Sequence, residues 1–237
     1  MTHIANSDIQ IRPLYDGESG TWTYLIIHNA THTCCLIDPI LEKMDRDINL
    51  IRELNLELLF TIETHIHADH ITSSGSLRQL TNCKTFVPEG AKIECATNFM
   101  KDSSKILLGD TALEILETPG HTEHSISIYI KNLCVFTGDA LLIRGCGRTD
   151  FQGGNAELLY ESITQKLFQL PEDTIVFPGH DYKGFVYSSI GEEKKLNPRV
   201  ANKSKAEFVS FMQNLNLPYP KKIHEALPAN ENCGILK

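Results

Sequence analysis

Histidine and carboxylate side chains cluster in this sequence in a way that suits a transition-metal ion. The densest cluster is THIHADH at 64–70, which places three histidines and one aspartate within six residues. Three later segments each present one such side chain directly after a glycine. Imidazole and carboxylate are the ligands that borderline transition metals prefer. The pattern therefore predicts a metal centre. The seven candidate ligands are His65, His67, Asp69, His70, His121, Asp139 and His180.

The number of metal ions stays open at this point. Some of the seven side chains could hold a single metal ion. All seven could instead hold two metals about 3.5–4 Å apart, as in metal-dependent hydrolases. A third interpretation is a solvated polar cluster in which Asp69 caps a helix. The recurrence of His or Asp in three further segments argues against that interpretation.

The elements that must position these side chains are strands. Each polar cluster follows a short apolar run rich in β-branched and aromatic residues, which is typical of a strand. Ligands of α/β proteins gather at strand ends, so the four clusters are expected to meet there. The glycines before the last three ligands permit the tight backbone that this requires; they are Gly120, Gly138 and Gly179. The predicted strands are 21–27, 34–37, 58–62, 85–87, 112–116, 125–130, 133–136 and 174–177.

Helices are predicted between these strands, at 43–54, 73–80, 156–168 and 204–214. Asn155 and Ser204 are suitable N-caps for the last two. No repeat or Gly/Ser linker interrupts the chain, so a single domain is expected over residues 1–237, with a short C-terminal helical extension. Groups of strands separated by helices predict sheet layers covered by helices.

The composition narrows the classes of partner. Hydrophobic residues make up 41% and charged residues 22%, as in an ordinary globular protein. A net charge of −8 argues against nucleic acid, and no apolar run is long enough to predict a membrane span. Residues 1–12 do not resemble a targeting segment. The seven cysteines contain no CxxC pair, so no disulfide framework is expected, and these features together predict a reducing cytoplasm.

The order THxHxDH, then His, Asp and His, resembles the metallo-β-lactamase superfamily over most of the chain. The resemblance implies a four-layer αββα sandwich with two mixed β-sheets flanked by helices. It does not choose the reaction, because hydrolases, nucleases and oxygenases share the motif. Other segments are similar to the glutathione persulfide dioxygenases. They are THIHADHITSSG at 64–75, LIRGCGRTDFQGG at 142–154, PGHDYKG at 178–184, LNPRV at 196–200 and PANENCG at 228–234.

This family resemblance implies one Fe(II) held by His65, His121 and Asp139, an arrangement that leaves positions for substrate and O2. The implied reaction oxidises glutathione persulfide with O2 and water to sulfite and glutathione. The remaining four candidate ligands would orient the first three or hold a second metal. The resemblance also suggests a substrate-binding set for the glutathione carboxylates, and family members are often homodimers. The substrate-binding candidates are Arg148, Tyr182 and Arg199.

The alternative is a binuclear hydrolase of glutathione thioesters resembling glyoxalase II, with zinc or mixed metals. That family lacks the RTDFQ continuation and carries a longer helical C-terminal domain, whereas only one helix is predicted here after His180. A binding or scaffolding module would be expected to have lost ligands, and all seven are present. An exported β-lactamase would need a signal segment. Cys146 and Cys233 are interpreted as buried structural cysteines, and His124 is expected near the site.

Overall fold

The computed structural model describes residues 4–5, 8–93, 95–220 and 222–235, and it divides into two compact units. The first unit comprises the chain up to Met100, the segment Ile106–Leu113 and the chain from Tyr219 onwards. The second comprises Lys101–Lys105 and Glu114–Pro218. No helix in the described ranges is both long and apolar enough to cross a membrane.

The first unit carries a sheet to which the described residues contribute seven strands, in the spatial order of the sequence. They are β1 (Ile4–Ala5), β2 (Ile9–Tyr15), β3 (Trp22–His28), β4 (Thr33–Ile37), β5 (Glu57–Ile62), β6 (Lys84–Pro88) and β7 (Asn98–Met100). The first four strands pair antiparallel, and β4 to β7 pair in parallel. The carboxyl ends of β4 and β5 therefore lie at the same edge, with Ile37 paired to Ile62.

A second sheet contains six strands within the described residues, in the order β13-β12-β11-β10-β9-β8. They are β8 (Lys105–Leu108), β9 (Thr111–Glu117), β10 (Ile126–Ile130), β11 (Cys134–Gly138), β12 (Ile175–Pro178) and β13 (Ser188–Ser189). β11 runs antiparallel to β10 and parallel to β12. Because Gly138 pairs with Pro178, the residues that follow these two strands leave the sheet side by side.

Six α-helices occur in the part of the chain that the structure describes. They are α1 (Met44–Glu53), α2 (Ser74–Thr81), α3 (Ala156–Glu161), α4 (Ile190–Leu196), α5 (Lys205–Gln213) and α6 (Ile223–Asn230). The two predicted N-caps are confirmed. The side chain of Asn155 accepts backbone hydrogen bonds at the start of α3. Ser204 forms a capping box with Glu207 at the start of α5.

Each unit buries its own apolar cluster. In the first, Ile48 and Ile51 of α1 pack with side chains of β3, β4 and β5. In the second, Leu159 of α3 and Phe208 of α5 pack with side chains of β11 and β12. The helices predicted from the sequence thus cover strands in both units, and this packing supports the loops that follow the strands.

The eight predicted strands agree with observed strands to within one or two residues. The predicted helix 156–168 is wrong beyond Glu161, where a π-helical turn at 162–166 and a 3₁₀ turn at 167–169 follow. The Ser162 hydroxyl donates to the Pro119 carbonyl, and the Thr164 hydroxyl donates to the Tyr160 carbonyl. Such side-chain bonds compete with regular helix geometry. The expectation of one helix after His180 is also wrong, because α4, α5 and α6 all follow it. The sequence pattern missed α4, which is short, and α6, which contains Pro228.

Cys95 and Cys233 form a disulfide within the first unit. The expectation that the chain contains no disulfide framework is therefore wrong for this pair, and Cys233 is a bonded cysteine. The two residues are 138 positions apart, so no local spacing could indicate the bond. The other five cysteines are free and buried.

Candidate metal centre

The loop after β5 collects the histidines of the first cluster. His65, His67 and His70 are all buried, and Asp69 is partly exposed. The imidazole centroids of His65 and His67 lie 4.2 Å apart, and those of His67 and His70 lie 4.3 Å apart. His67, Asp69 and His70 each offer a ligand atom within 4.8 Å of the others. Three buried imidazoles so close together are more typical of a metal-binding loop than of a solvated surface.

Hydrogen bonds fix the tautomer of His65. The Thr64 hydroxyl donates to Asp38 Oδ2 over 2.7 Å, so its oxygen can only accept from a further partner. His65 Nδ1 lies 2.9 Å from that oxygen and therefore carries the proton that it donates. The lone pair of His65 is left on Nε2. A buried carboxylate that acts through a hydroxyl on the distal ring nitrogen is the arrangement expected behind a metal-binding histidine.

His67 is held between two buried carboxylates. Its Nε2 lies 3.1 Å from Asp38 Oδ1 and 3.4 Å from Glu63 Oε2, distances of ion pairs without hydrogen-bond alignment. Glu63 is itself fixed, because its Oε1 accepts from the hydroxyls of Thr72 and Ser74. Burial lowers the pKa of His67, but the attraction of Asp38 and Glu63 outweighs burial and raises the pKa well above its usual range. The side chain is thus favoured as a cation paired with the two carboxylates.

His70, unlike His67, has one ring nitrogen that donates to a carboxylate and one that keeps a lone pair. Its Nδ1 donates to Asp69 Oδ2 over 2.9 Å, and the same oxygen accepts from the Thr21 hydroxyl at 2.9 Å. The lone pair of His70 therefore lies on Nε2. That atom is buried and makes no hydrogen bond to any described residue. A buried acceptor without a donor costs free energy unless a water or an ion satisfies it.

The second unit brings together the three later ligand candidates. Asp139 directly follows β11, and His180 follows β12 by two residues. His180 Nδ1 donates to Asp139 Oδ1 over 2.7 Å, and His121 Nε2 lies 3.5 Å from Asp139 Oδ2. The two carboxylate oxygens therefore face different partners. Separate ligand atoms at such a distance are compatible with an ion between them.

His121 is oriented from behind in the same manner as His65. Its Nδ1 donates to the Arg148 carbonyl over 2.7 Å, which leaves the lone pair on Nε2, the nitrogen that faces Asp139. The predicted backbone freedom is observed before two of the three ligands, whereas Gly179 does not adopt a positive φ. Gly120 has φ of +131° and Gly138 has φ of +47°, in the region that favours glycine.

The three substrate-binding candidates all lie in the second unit, at different depths. The Arg148 guanidinium makes two bonds to the Asp150 carboxylate and donates to the Pro218 carbonyl. Arg199 donates to the Cys146 carbonyl over 2.6 Å. Tyr182 is 73% exposed, and its ring stacks on the His180 imidazole with 5.8 Å between centroids. The structure thus places Tyr182 beside a candidate ligand, whereas Arg148 already has a carboxylate partner.

Cys146 is a buried thiol, and burial raises its pKa to about 11, although Arg199 acts in the opposite direction. The thiolate is the reactive form, so the native protein is expected to resist alkylation here. After treatment with iodoacetamide near pH 7.5, peptide mass spectrometry should find Cys146 unmodified in folded protein. In the unfolded protein it should be fully modified. Rapid labelling of the folded protein would contradict this interpretation.

A family model described as the metallo-beta-lactamase superfamily matches residues 16–180, a range that includes all seven candidate ligands. The chain belongs to the metallo-beta-lactamase superfamily.

Individual relatives show which members of the superfamily the chain resembles. The protein is 45% identical over 235 residues to persulfide dioxygenase ETHE1, mitochondrial, of Homo sapiens, with 98% of this chain and 91% of that protein covered. A crystal structure of ETHE1 from Myxococcus xanthus is 51% identical and superposes with a TM-score of 0.93, covering 95% of this chain and 99% of that chain. Hydroxyacylglutathione hydrolase cytoplasmic of Arabidopsis thaliana is 33% identical over 168 residues, covering 68% of this chain and 64% of that protein. The predicted fold class and the predicted resemblance to persulfide dioxygenases are confirmed.

Three residues with roles in this geometry were not among the sequence candidates. Asp38 and Glu63 fix Thr64 and His67, and Asn230 holds the backbone of the same loop. Asp38 follows β4 as the ligand candidates follow their strands, so its position at a strand end could have indicated it. Asn230 lies in α6, far along the chain from the loop, and no local pattern connects the two.

Proposed function

We propose that the protein is an Fe(II)-dependent persulfide dioxygenase, which oxidises glutathione persulfide with O2 and water to sulfite and glutathione. The observation that carries the proposal is the extent of the similarity. Identity is 45% to the human persulfide dioxygenase over 98% of the chain, and 51% to ETHE1 from Myxococcus xanthus over 95% of the chain. Identity is lower to the hydroxyacylglutathione hydrolase of Arabidopsis thaliana, at 33%, and to Glyoxylase B2 of Dictyostelium discoideum, at 30% over 92% of the chain. A redox enzyme is therefore the better supported of the two alternatives.

The proposed iron ligands are His65, His121 and Asp139. Two observations support this set. Both histidines donate from Nδ1 to an oxygen, so each presents an unprotonated Nε2. His180 occupies one carboxylate oxygen of Asp139, which leaves Oδ2 on the side of His121. Two imidazoles and one carboxylate suit Fe(II), which supplies the redox chemistry that a d¹⁰ zinc ion lacks.

We further propose that a single metal ion is held. In a binuclear centre, His67 would be an uncharged ligand. Here Nε2 faces the buried carboxylates of Asp38 and Glu63, which supports an ion pair at this nitrogen in place of a metal bond. His70 and His180 each donate from Nδ1 to a carboxylate and keep a lone pair on Nε2, so their orienting role is assigned from the family resemblance and not from these hydrogen bonds. In this arrangement all four side chains would orient the metal ligands and bound water rather than coordinate iron.

Substrate recognition is proposed for Tyr182 and Arg199, with Arg148 in a secondary role. A glutathione-type substrate carries carboxylates, which the planar guanidinium of arginine binds well. Arg199 uses one Nη1 bond on the Cys146 carbonyl. Arg148 would first have to leave the carboxylate of Asp150. The exposed phenol of Tyr182 next to His180 is suited to hydrogen bonding at the rim.

Replacement of Arg199 by methionine should raise the KM for glutathione persulfide by about tenfold to a hundredfold, with a smaller effect on kcat. This range corresponds to about 1.5–3 kcal/mol for a hydrogen bond to a charged group. Steady-state oxygen uptake would measure both constants. Lys183→Met is the matched control, because Lys183 is an exposed cation in the loop that contains Tyr182. Equal changes in the two variants would argue against a specific role for Arg199.

The function itself is tested by metal analysis and oxygen uptake on the same preparation. Near one iron per chain, with O2 consumption and sulfite release on addition of glutathione persulfide, would support the proposal. Two metals per chain, no O2 consumption and hydrolysis of a glutathione thioester would overturn it in favour of the hydrolase. Thioester hydrolysis with one metal would reject the reaction but leave the proposed metal count intact.

We further propose that the protein is cytoplasmic, that it forms a homodimer, and that residues 1–237 form a single domain. Five free buried cysteines suit a reducing compartment, whereas the Cys95–Cys233 disulfide is more typical of an oxidising one. Cell fractionation and light scattering of the purified protein would test the first two. A single cooperative unfolding transition would support the third.

A further inference from the structure

The side-chain amide of Asn230 is used entirely on the loop that contains the first histidine cluster. Its Nδ2 donates to the carbonyls of His67 and His70, each over 2.8 Å, and its Oδ1 accepts from Thr72 N over 2.9 Å. Asn230 is 3% exposed. One buried side chain thus fixes three backbone groups within six residues, in a loop that lies outside the named strands and helices.

The chain after Asn230 continues along the same loop. Cys233 O accepts from Gly75 N over 3.0 Å, at the start of α2. A Cβ atom at Gly234 would lie 1.8 Å from the Thr72 carbonyl oxygen, so the two backbones are in direct contact. Ahead of Asn230, Ala226 and Ala229 pack with Ile71. Residues 226–234 therefore line one side of the loop.

The disulfide fastens this segment at its far end. Cys233 is bonded to Cys95, which lies in the connection between β6 and β7. The two cysteines belong to an apolar cluster that also includes Ile66, the residue between His65 and His67. The bond therefore links the C-terminal segment to the same side of the loop that Asn230 contacts.

We infer that Asn230 is a positioning residue of the metal centre, and that the Cys95–Cys233 disulfide keeps Asn230 in place. The inference rests on the proposed function only in that His65 is taken as a metal ligand. The amide sets the path of residues 67–72, and through that path it sets where the preceding His65 presents Nε2. When the disulfide is reduced, the segment keeps its hydrogen bonds but loses its covalent anchor, and the loop holds metal less firmly.

The disulfide can open and close by thiol–disulfide exchange. A thiol attacks the sulfur of Cys95, which is half-buried, and Cys233 leaves as a thiolate. A second thiol then attacks the mixed disulfide and releases Cys95, so two thiols are oxidised to one low-molecular-weight disulfide while the protein bond is reduced. The reverse sequence consumes that disulfide and restores the bond. Glutathione, the thiol product of the proposed reaction, belongs to the class of thiol that drives the opening.

The first test measures how fast iron is lost to a chelator from iron-loaded full-length protein. Asn230→Ala removes all three bonds, and Asn230→Asp keeps the acceptor for Thr72 N while removing both donors. Each is expected to lose iron about 10–100 times faster than the parent protein, the usual effect of removing an outer partner of a metal site. Amide exchange at Thr72 should accelerate in Asn230→Ala and change less in Asn230→Asp.

Ile51→Ala is the control for general destabilisation, because Ile51 is buried in the α1 cluster and does not contact the loop. It should lower the melting temperature without accelerating iron loss. If both Asn230 variants retain iron as the parent does, or if Ile51→Ala loses iron equally fast, the inference is wrong. None of these readouts needs persulfide oxidation, so a protein that holds iron without oxidising persulfide would reject the function alone.

The disulfide is tested with Cys95→Ser, which also keeps the inference testable if Asn230→Ala does not fold. Unfolded, unreduced parent protein should show five free thiols, and seven after reduction. Iron loss should accelerate when the parent is reduced with glutathione, and Cys95→Ser should lose iron at that faster rate with or without reductant. Iron loss that is unaffected by reduction would reject the role of the disulfide, and seven thiols before reduction would show that the bond does not form.

Discussion

Replacement of Asp139 by asparagine is expected to remove persulfide oxidation almost completely, with a fall in kcat/KM of more than about a hundredfold. The amide has nearly the shape of the carboxylate but no negative charge. A cation held by two neutral imidazoles would then have no anionic protein ligand in the proposed set. The effect should exceed that of any outer partner, because it changes a group proposed to bind the metal directly.

The same substitution also disturbs the orientation of its neighbour. His180 Nδ1 donates to Asp139 Oδ1, and an amide could present its NH2 group to that nitrogen instead. His180 would then change its tautomer or rotate away. Iron content by mass spectrometry and oxygen uptake on the same sample would separate loss of metal from loss of turnover.

Asp110→Asn provides the matched control, because the Asp110 side chain is 86% exposed and pairs with His28, away from the candidate ligands. This variant should keep its iron and its rate. An Asp139→Asn protein that retains one iron and more than half of the parent rate would contradict the assignment of Asp139 as a ligand. Equal losses in the two variants would point to an unspecific effect of removing one negative charge.

The ligand candidates could be predicted from the sequence because their chemistry is local. THIHADH places four ligand-type side chains on one loop, and the apolar run before it identifies the strand that fixes that loop. Asp139 and His180 follow strands in the same way, and their proximity results from the parallel pairing of β11 with β12. Parallel strands separated by a long connection still end at one edge of the sheet. The positions of the two strand ends were therefore sufficient to predict that Asp139 and His180 lie close together.

The partners that orient the ligands could not be predicted in this way. The tautomer of His65 depends on Thr64 and Asp38, and the latter reaches the loop only because β4 pairs with β5. Asn230 reaches the same loop from α6, whose proline weakens the helical pattern. These contacts depend on tertiary packing, which a short motif does not encode. The disulfide is a further example, because its cysteines are 138 residues apart.

Asp38 is a buried carboxylate that contacts both Thr64 and His67, and Asp38→Asn is expected to have the second largest effect. Asp38 accepts from Thr64 N and from the Thr64 hydroxyl, and it faces His67 Nε2. Asparagine tolerates the backbone of this position, where φ is +49°, so the change alters the carboxylate without straining the chain. The His67 cation would be left with Glu63 alone.

Two measurements should therefore change together in Asp38→Asn. The free energy of unfolding should fall by about 3–5 kcal/mol, because one partner of a buried ion pair is removed. Iron should be retained about 10–100 times less tightly, because Thr64 loses the acceptor that fixes the tautomer of His65. Denaturant unfolding of the metal-free protein measures the first effect, and competition with a chelator measures the second.

Asp47→Asn separates this effect from the burial of a carboxylate in general. Asp47 is fully buried in α1, and burial raises its pKa despite the bond from Arg46. The folded state therefore disfavours the charged form of Asp47, and its removal should change stability by less than about 1 kcal/mol. Its iron retention should equal that of the parent. If Asp38→Asn behaves like Asp47→Asn in both measurements, the chain from Asp38 through Thr64 to His65 does not control the metal ligand. The orientation of His65 would then have to come from the packing of Ile66 and from Asn230, which holds the backbone that follows.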